Sequence, residues 1–141
     1  MERYTEKDWN PTTWEKGASA TGQHMAVTSY CAGKTIAEKL AWDFMKEQKP
    51  AFDLVVLCPG TVYGKPMQVL NSLEDLDAAS ARLWSHITHA KDIIPGDPSP
   101  VFSNMLDVAE AHLKALTWPK CGGERYMIRN ASNTLAVSKT I

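Results

Sequence analysis

The chain has 141 residues, of which 44% are hydrophobic and 22% are charged, and its formal net charge is -1. This composition is ordinary for a folded globular domain and is not typical of a disordered chain. A nearly neutral chain lacks the basic field that binds nucleic acid, and no apolar run is long enough to span a bilayer. We therefore expect neither nucleic acid nor a membrane as a partner.

The cysteines are few and widely spaced. Cys31, Cys58 and Cys121 are odd in number, which favours a reduced compartment over a disulfide framework. The N-terminal residues mix charges with aromatics and have no apolar core of the kind that a secretory signal needs. These features predict a cytoplasmic protein. The histidines and cysteines show no spacing typical of a zinc site, so no metal is expected.

In chain order, the first strong pattern is a helix over residues 23–48, where apolar side chains recur at helical spacing before Pro50. Residues 52–57, FDLVVL, are almost continuously apolar. Such a run predicts a strand that is covered on both faces in a parallel sheet. Pro59 and Gly60 are expected to end that strand.

Two helices and one strand are predicted further along the chain. One helix should run from Ser72 to Ile87, and the other from Asp107 to the residue before Pro119. Each begins with a capping pattern, in which a polar residue is followed three positions later by an acidic one. Residues 125–129 follow two glycines and predict a strand.

Tyr30 and Lys34 stand four residues apart on the first predicted helix, so their side chains leave the same face one turn apart. A phenol has a pKa of about 10, and a nearby ammonium lowers it by favouring the phenolate. The tyrosine could then act as a general acid in carbonyl reduction, while the lysine also donates to the ribose of a nicotinamide cofactor. The same spacing also fits an amphipathic tyrosine beside a solvated lysine.

Four segments around this pair occur in a fixed order. They are YTEKDWNP (4–11), YCAGKTIAEKLAWDFMKEQKPAFDLVVLCPGTVYG (30–64), LDVAEAH (106–112) and GGERYMI (122–128). Together they resemble the extended short-chain dehydrogenase/reductase family, in its branch of methylglyoxal, aldehyde and dihydroflavonol reductases, and above all its fungal members. The resemblance covers nearly the whole chain.

The resemblance implies an α/β fold with a partial, Rossmann-like parallel sheet. Residues 1–64 would be the C-terminal part of the Rossmann-like domain, and residues 65–141 part of a smaller substrate-binding subdomain. The implied activity is reduction of an aldehyde or ketone to an alcohol. The implied cofactor is NADPH, with NADH as the alternative, and the implied partner is a small carbonyl substrate.

The resemblance also implies a site. Tyr30 and Lys34 match the family's catalytic acid and the lysine beside it, and both would also contact the cofactor. The other positions expected to contact the cofactor are Pro59, Gly60, Val62 and Ser72. Gly33 departs from the serine that relatives usually carry there, and Gly64 is followed by lysine rather than directly by proline.

The sequence lacks two parts of the family pattern, namely the glycine-rich phosphate-binding turn and the strand whose serine or threonine positions the carbonyl. We therefore expect a chain that corresponds to the C-terminal half of a reductase and is weakly active or inactive alone. Two alternatives remain open. One is a non-catalytic fragment that pairs with a full-length homologue through the Tyr30 helix, as a homo- or hetero-oligomer, and the other is a truncated gene product without function.

Overall fold

A computed structural model describes residues 4–88 and 101–129 of the chain. Four α-helices and four strands lie within these ranges. The helices are α1 (Trp14–Ala18), α2 (Met25–Gln48), α3 (Ala78–Thr88) and α4 (Met105–Thr117). The strands are β1 (Val56–Pro59), β2 (Thr61–Tyr63), β3 (Phe102–Asn104) and β4 (Arg125–Ile128). Within these ranges no helix combines the length and the apolar character that crossing a bilayer requires.

The strands form two short sheets, in which β1 pairs with β4 and β2 pairs with β3. The strands β2 and β3 are parallel, and Val62 lies opposite Ser103. Parallel strands cannot be joined by a tight hairpin and need a crossover connection, and α3 lies between β2 and β3 in sequence. The predicted α/β class with a parallel sheet is confirmed.

The chain divides into two compact units. Of the described residues, one unit contains those up to Val56 together with Lys120–Arg125, and the other contains those from Leu57 to Pro119 and from Tyr126 to Arg129. In the first unit α1 packs against α2, and in the second unit β2 contacts β3, α3 and α4. The functional division that the sequence predicts after residue 64 stays a prediction.

The long helix α2 confirms the helix predicted over residues 23–48. A 3-10 turn at Gly22–His24 leads into it, so the α-helix itself begins at Met25. It ends where Lys49 adopts a left-handed conformation, with φ 44°, and donates its backbone N–H to the carbonyl of Met45. The following Pro50 explains this end, since the residue before a proline is disfavoured in the α conformation.

The first strand differs from its prediction. The apolar run predicted a strand over residues 52–57, whereas β1 spans Val56–Pro59. Its partner β4 is only four residues long, so only a short stretch of the run can join a ladder. The side chains of β1 before Pro59 are half-buried, where the run predicted full cover on both faces.

The helix predicted from Ser72 also starts later. Ser72 and Asp75 form the predicted capping box, but it closes a 3-10 turn at Leu73–Asp75 rather than an α-helix. The cap of α3 is instead Asp77, whose Oδ1 accepts the backbone N–H of Ala79 at 2.9 Å and of Ser80 at 3.0 Å. Ser72 and Asp77, five positions apart, can both cap a helix here. The sequence pattern identified Ser72, whereas Asp77 caps α3 in the structure.

The helix α4 starts earlier than predicted, at Met105. Asp107 was expected to cap this helix with Glu110, but α4 begins at Met105 and Asn104 is its cap. The Oδ1 atom of Asn104 accepts the backbone N–H of Leu106 at 2.8 Å. Because β3 runs directly into α4, the last strand residue caps the helix, and Asp107 lies in the first turn instead. The strand predicted at residues 125–129 is confirmed as β4.

Candidate active site

The first pair of candidate residues lies on α2. The ammonium of Lys34 lies 5.6 Å from the centroid of the Tyr30 ring, as the four-residue spacing predicts. Tyr30 is 64% exposed, and Lys34 is exposed as well. Both side chains therefore face away from the buried side of the helix, so an acid at Tyr30 and a cation at Lys34 can be reached by a ligand.

The opposite face of the same helical turn packs against α1. Ala32 and Thr35 are buried there, and Gly17 of α1 approaches Ala32 so closely that no side chain fits at residue 17. The hydroxyl of Ser29 donates to the carbonyl of Gly17 at 2.8 Å. This packing fixes the turn of α2 that bears Tyr30, which leaves the phenol on a rigid support.

Tyr30 and Lys34 belong to a longer row on α2, in which Glu38 and Trp42 follow at the same four-residue spacing. The indole N–H of Trp42 donates to Oε1 of Glu38 at 3.2 Å. Arg125, in β4, donates two hydrogen bonds to the same carboxylate. Its Nε lies 2.6 Å from Oε1 and its Nη2 lies 3.3 Å from Oε2. The row therefore contains two linked pairs, one exposed around Tyr30 and one held by Arg125.

Arg125 also binds the N-terminal segment. Its Nη1 donates to the backbone carbonyls of Glu6 at 3.0 Å and Asp8 at 2.9 Å. Its guanidinium lies 4.6 Å from the centroid of the Trp9 ring, a cation–π distance. The carboxylate of Asp8 accepts the N–H and the hydroxyl of Thr5, and these bonds hold the pKa of Asp8 below its usual value. Arg125 thus joins the segment around Trp9 to α2.

The second group of candidate residues lies in the other unit, where Pro59 ends β1, Gly60 follows and Val62 is central in β2. The N–H of Gly60 is shared between the carbonyl of Ile128 and Oγ of Ser103, both at 3.0 Å. Ser103 is fully buried and donates its own proton to the Ile128 carbonyl at 2.6 Å. The N–H of Gly60 is therefore already bonded inside the protein and is not available to a ligand.

The remaining candidate, Ser72, is exposed and lies just before the 3-10 turn. Its hydroxyl accepts the N–H of Glu74 at 3.2 Å, and its own N–H donates to the Asp75 carboxylate at 3.0 Å. The hydroxyl proton can still be donated, because the turn uses only the oxygen as an acceptor. The structure thus gives Ser72 a local capping role, and its contact with a cofactor stays a prediction.

Of the six candidates, the structure brings Tyr30 and Lys34 together in one unit, and Pro59, Gly60 and Val62 together in the other. Sequence reasoning missed three side chains that support these groups: Glu38, Ser103 and Arg125. Glu38 had a readable signal, since it continues the row that begins at Tyr30. Ser103 and Arg125 had none, because their partners lie 25 or more residues away in sequence.

No profile of a protein family matches the chain, but individual known proteins are similar to it. The chain is 33% identical to an uncharacterised oxidoreductase of Schizosaccharomyces pombe over 89% of its own length and 36% of the relative's. It is 31% identical to an NADPH-dependent methylglyoxal reductase of Saccharomyces cerevisiae, over 94% of the chain and 38% of that protein.

A solved structure shows the same relationship. The crystal structure of yeast methylglyoxal/isovaleraldehyde reductase complexed with NADPH matches 89% of the chain with a TM-score of 0.68 and 30% identity. The chain is therefore homologous to fungal oxidoreductases and methylglyoxal reductases over most of its own length. The predicted resemblance is thereby confirmed.

The similarity covers only part of the length of the relatives. The chain spans about 36% to 38% of the length of the curated reductases that it matches. The structural likeness therefore concerns the chain itself, whereas the reaction of the relatives is that of longer proteins.

Proposed function

We propose that the chain contributes the acid–base half of an NADPH-dependent reductase that converts an aldehyde or ketone to an alcohol. The observation that carries this proposal is the exposed Tyr30–Lys34 pair, with the ammonium 5.6 Å from the phenol ring, in a homologue of reductases that use NADPH. A small carbonyl substrate can reach the exposed phenol of Tyr30.

Tyr30 is the general acid in this proposal. NADPH, when bound, supplies the hydride that reaches the carbonyl carbon. The hydroxyl of Tyr30 gives its proton to the carbonyl oxygen, which becomes the alcohol, and the resulting phenolate takes up a proton from water. The ammonium of Lys34 favours that phenolate by its charge, and its N–H groups can also donate to ribose hydroxyls.

The segment from Pro59 to Val62 would lie beside the nicotinamide. Its support fits that role, because Ser103 and Ile128 hold the backbone of Gly60 from within the protein. A loop fixed in this way would hold a bound cofactor through its backbone. Ser72 would donate its remaining hydroxyl proton to the cofactor.

The direct test is NADPH binding, followed by the tryptophan fluorescence of the chain. It should be measured on the chain alone and with the part of the yeast relative that the chain does not span, supplied in trans. We expect saturable binding that Lys34→Ala weakens. Where reductase activity appears, Tyr30→Phe should lower kcat by at least about 100-fold, the usual contribution of a general acid.

Two matched variants keep this test specific. Lys46→Ala removes another exposed lysine of α2, and Tyr63→Phe removes the hydroxyl of a half-buried tyrosine in β2. Both should leave NADPH binding and activity close to the unmodified chain. A folded chain that binds no NADPH in either setting, or that binds it equally well with Lys34→Ala, would contradict the proposed function.

The sequence-based expectations of a cytoplasmic protein and of an oligomer formed through the Tyr30 helix stay predictions. Cys31, Cys58 and Cys121 form no disulfide within the described part of the chain, and this is compatible with a reduced compartment. The exposed phenol of Tyr30 supports catalysis more directly than pairing, since a helix face that binds a partner would cover it.

A further inference from the structure

We propose that Ser103 is a positioning residue for the segment Pro59–Val62, which the proposed function puts beside the nicotinamide. The inference rests on the proposed function, because it concerns this segment as part of a cofactor site. The hydroxyl of Ser103 binds both the N–H of Gly60 and the carbonyl of Ile128. Ser103 thereby connects the residue between β1 and β2 to the last residue of β4.

The hydroxyl of Ser103 links the two short sheets. Ser103 is central in β3 and lies opposite Val62 in the β2–β3 sheet, whereas Ile128 ends β4 in the other sheet. Gly60 is the residue at which the chain passes from β1 in one sheet to β2 in the other. The two hydrogen bonds of this one hydroxyl therefore reach both sheets at the point where the candidate segment crosses between them.

The hydrogen bonds around Ser103 form a closed set of three groups. A serine hydroxyl has one proton to donate and lone pairs that accept. The hydroxyl of Ser103 donates to the carbonyl of Ile128 at 2.6 Å and accepts the N–H of Gly60 at 3.0 Å. The same N–H also donates to the carbonyl of Ile128 at 3.0 Å, so it has two acceptors. Loss of the hydroxyl would leave the N–H of Gly60 with one acceptor, and its peptide group could then reorient.

The burial of Ser103 makes these bonds effective. Ser103 has an exposure of 0%, so water does not compete for its hydroxyl. A buried hydroxyl destabilises a protein unless it is hydrogen-bonded. Strands are enriched in β-branched and aromatic residues, so strand propensity does not explain a serine at this position. The contribution of serine here is therefore its two hydrogen bonds to the backbone.

The remaining bonds of the segment allow the fold to persist without this hydroxyl. The N–H of Gly60 would still donate to the carbonyl of Ile128, and the N–H of Thr61 would still donate to the carbonyl of Val101. A ligand binds more tightly when the backbone that it contacts is already ordered. We therefore expect Ser103→Ala to loosen the candidate segment locally and to weaken cofactor binding, while the chain stays folded.

The test measures hydrogen exchange of the Gly60 amide by NMR, on the chain without NADPH. We expect Ser103→Ala to speed this exchange about fivefold, the effect of one net hydrogen bond. Ser103→Thr keeps the hydroxyl and suits a strand, so it should restore the original rate. Amides in the central turns of α4 belong to the same unit and should exchange as before.

Two further variants make the test specific. Ser103→Cys adds no methyl branch to the buried position and keeps a weaker donor, so its rate should lie between those of serine and alanine. This variant replaces Ser103→Thr if the added methyl group prevents folding. Ser29→Ala is the matched control, because it removes a hydroxyl that donates to the backbone carbonyl of Gly17 in the other unit. It should leave the exchange of the Gly60 amide unchanged.

The consequence for the cofactor is measured separately. Where NADPH binding is observed, Ser103→Ala should raise the Kd about two- to tenfold, the range expected for ordering one flexible group. Ser103→Thr should restore the original Kd. Lys34→Ala should leave the exchange of the Gly60 amide unchanged, because Lys34 and Gly60 lie in different units.

The outcomes separate this proposal from the proposed function. An unchanged Gly60 rate in Ser103→Ala, or an equal increase at the amides of α4, overturns the positioning role even if NADPH binding depends on Lys34. Faster exchange at Gly60 with an unchanged Kd for NADPH also overturns it. Faster exchange that the conservative variant reverses supports the role. A chain that binds no NADPH contradicts the proposed function, and the Gly60 rate then still decides whether Ser103 holds this segment.

Discussion

Gly60 shows how a single residue sets the geometry of the loop between β1 and β2. A Cβ atom at this position would lie 2.6 Å from the carbonyl oxygen and 2.9 Å from the carbonyl carbon of Val101. Both are backbone atoms, which cannot move aside as the end of a side chain can. The hydrogen bond from Thr61 N–H to the same Val101 oxygen, at 3.0 Å, ties the two backbones together. Glycine is therefore required by close approach.

We predict that Gly60→Ala lowers the free energy of unfolding by about 1 to 3 kcal/mol, the usual cost of overpacking, as measured by urea denaturation. Gly33→Ala is the matched control. Nothing lies within 4 Å of a Cβ atom at residue 33, in the interior of α2. There the added methyl should stabilise the chain by up to about 1 kcal/mol through helix propensity. Equal effects of the two substitutions would contradict the role of Val101.

Residues close in sequence were easier to predict than residues close only in space. The spacing of Tyr30 and Lys34 was sufficient to predict their contact, because a helix fixes the relation of positions four apart. The ion pair between Arg125 and Glu38 joins residues 87 positions apart, and no local sequence pattern encodes it. The Gly60 loop was predicted from its Pro-Gly pair, whereas its buried support, Ser103, depends on the path of β3.

At the scale of elements, the sequence predicted the existence of helices and strands better than their boundaries. The helix α2 and the strand β4 were found because long periodic patterns and paired glycines identify them. The starts of α3 and α4 were wrong, because several polar residues near each start can cap a helix. The path of the preceding chain determines that Asp77 caps α3 and Asn104 caps α4. The sequence pattern does not encode that path.

The cap of α3 gives a pH prediction. The hydroxyl of Ser80 donates to Oδ2 of Asp77 at 2.7 Å, and this bond, with the backbone N–H of Ser80, holds the pKa of Asp77 below its ordinary value of 3.8. A lowered carboxyl pKa stabilises the folded state above the unfolded pKa. That contribution disappears as the pH falls through the folded pKa.

We therefore expect the stability difference between the unmodified chain and Asp77→Asn to be constant near neutral pH and to shrink below about pH 4. Urea denaturation over a series of pH values measures it. Ser80→Ala removes the main cause of the lowered pKa, so it should move this change to higher pH. If the stability of Asp77→Asn depends on pH in the same way as that of the unmodified chain, the charge of Asp77 does not contribute to stability.

At the scale of the whole molecule, the described residues bury few large apolar side chains. The buried hydrophobic residues there are Ala32, Cys121 and Tyr126. Leu40 and Phe44, one turn apart on α2, are 62% and 50% exposed. Burying a leucine or phenylalanine fully stabilises a protein by about 1.5 to 3 kcal/mol, and these two side chains gain little of it. They form an apolar patch that an amphipathic dye can bind.

The final prediction uses this patch. Leu40→Gln/Phe44→Gln should lower the fluorescence of bound anilinonaphthalene sulfonate while changing the free energy of unfolding by no more than about 1 kcal/mol, since exposed substitutions rarely cost more than about 0.5 each. Ala32→Gln is the control on the same helix. Its side chain would meet Gly17 in the packed contact with α1, so it should unfold the first unit and raise dye binding. If the double variant instead unfolds the chain, Leu40 and Phe44 contribute to packing and are not a free apolar surface.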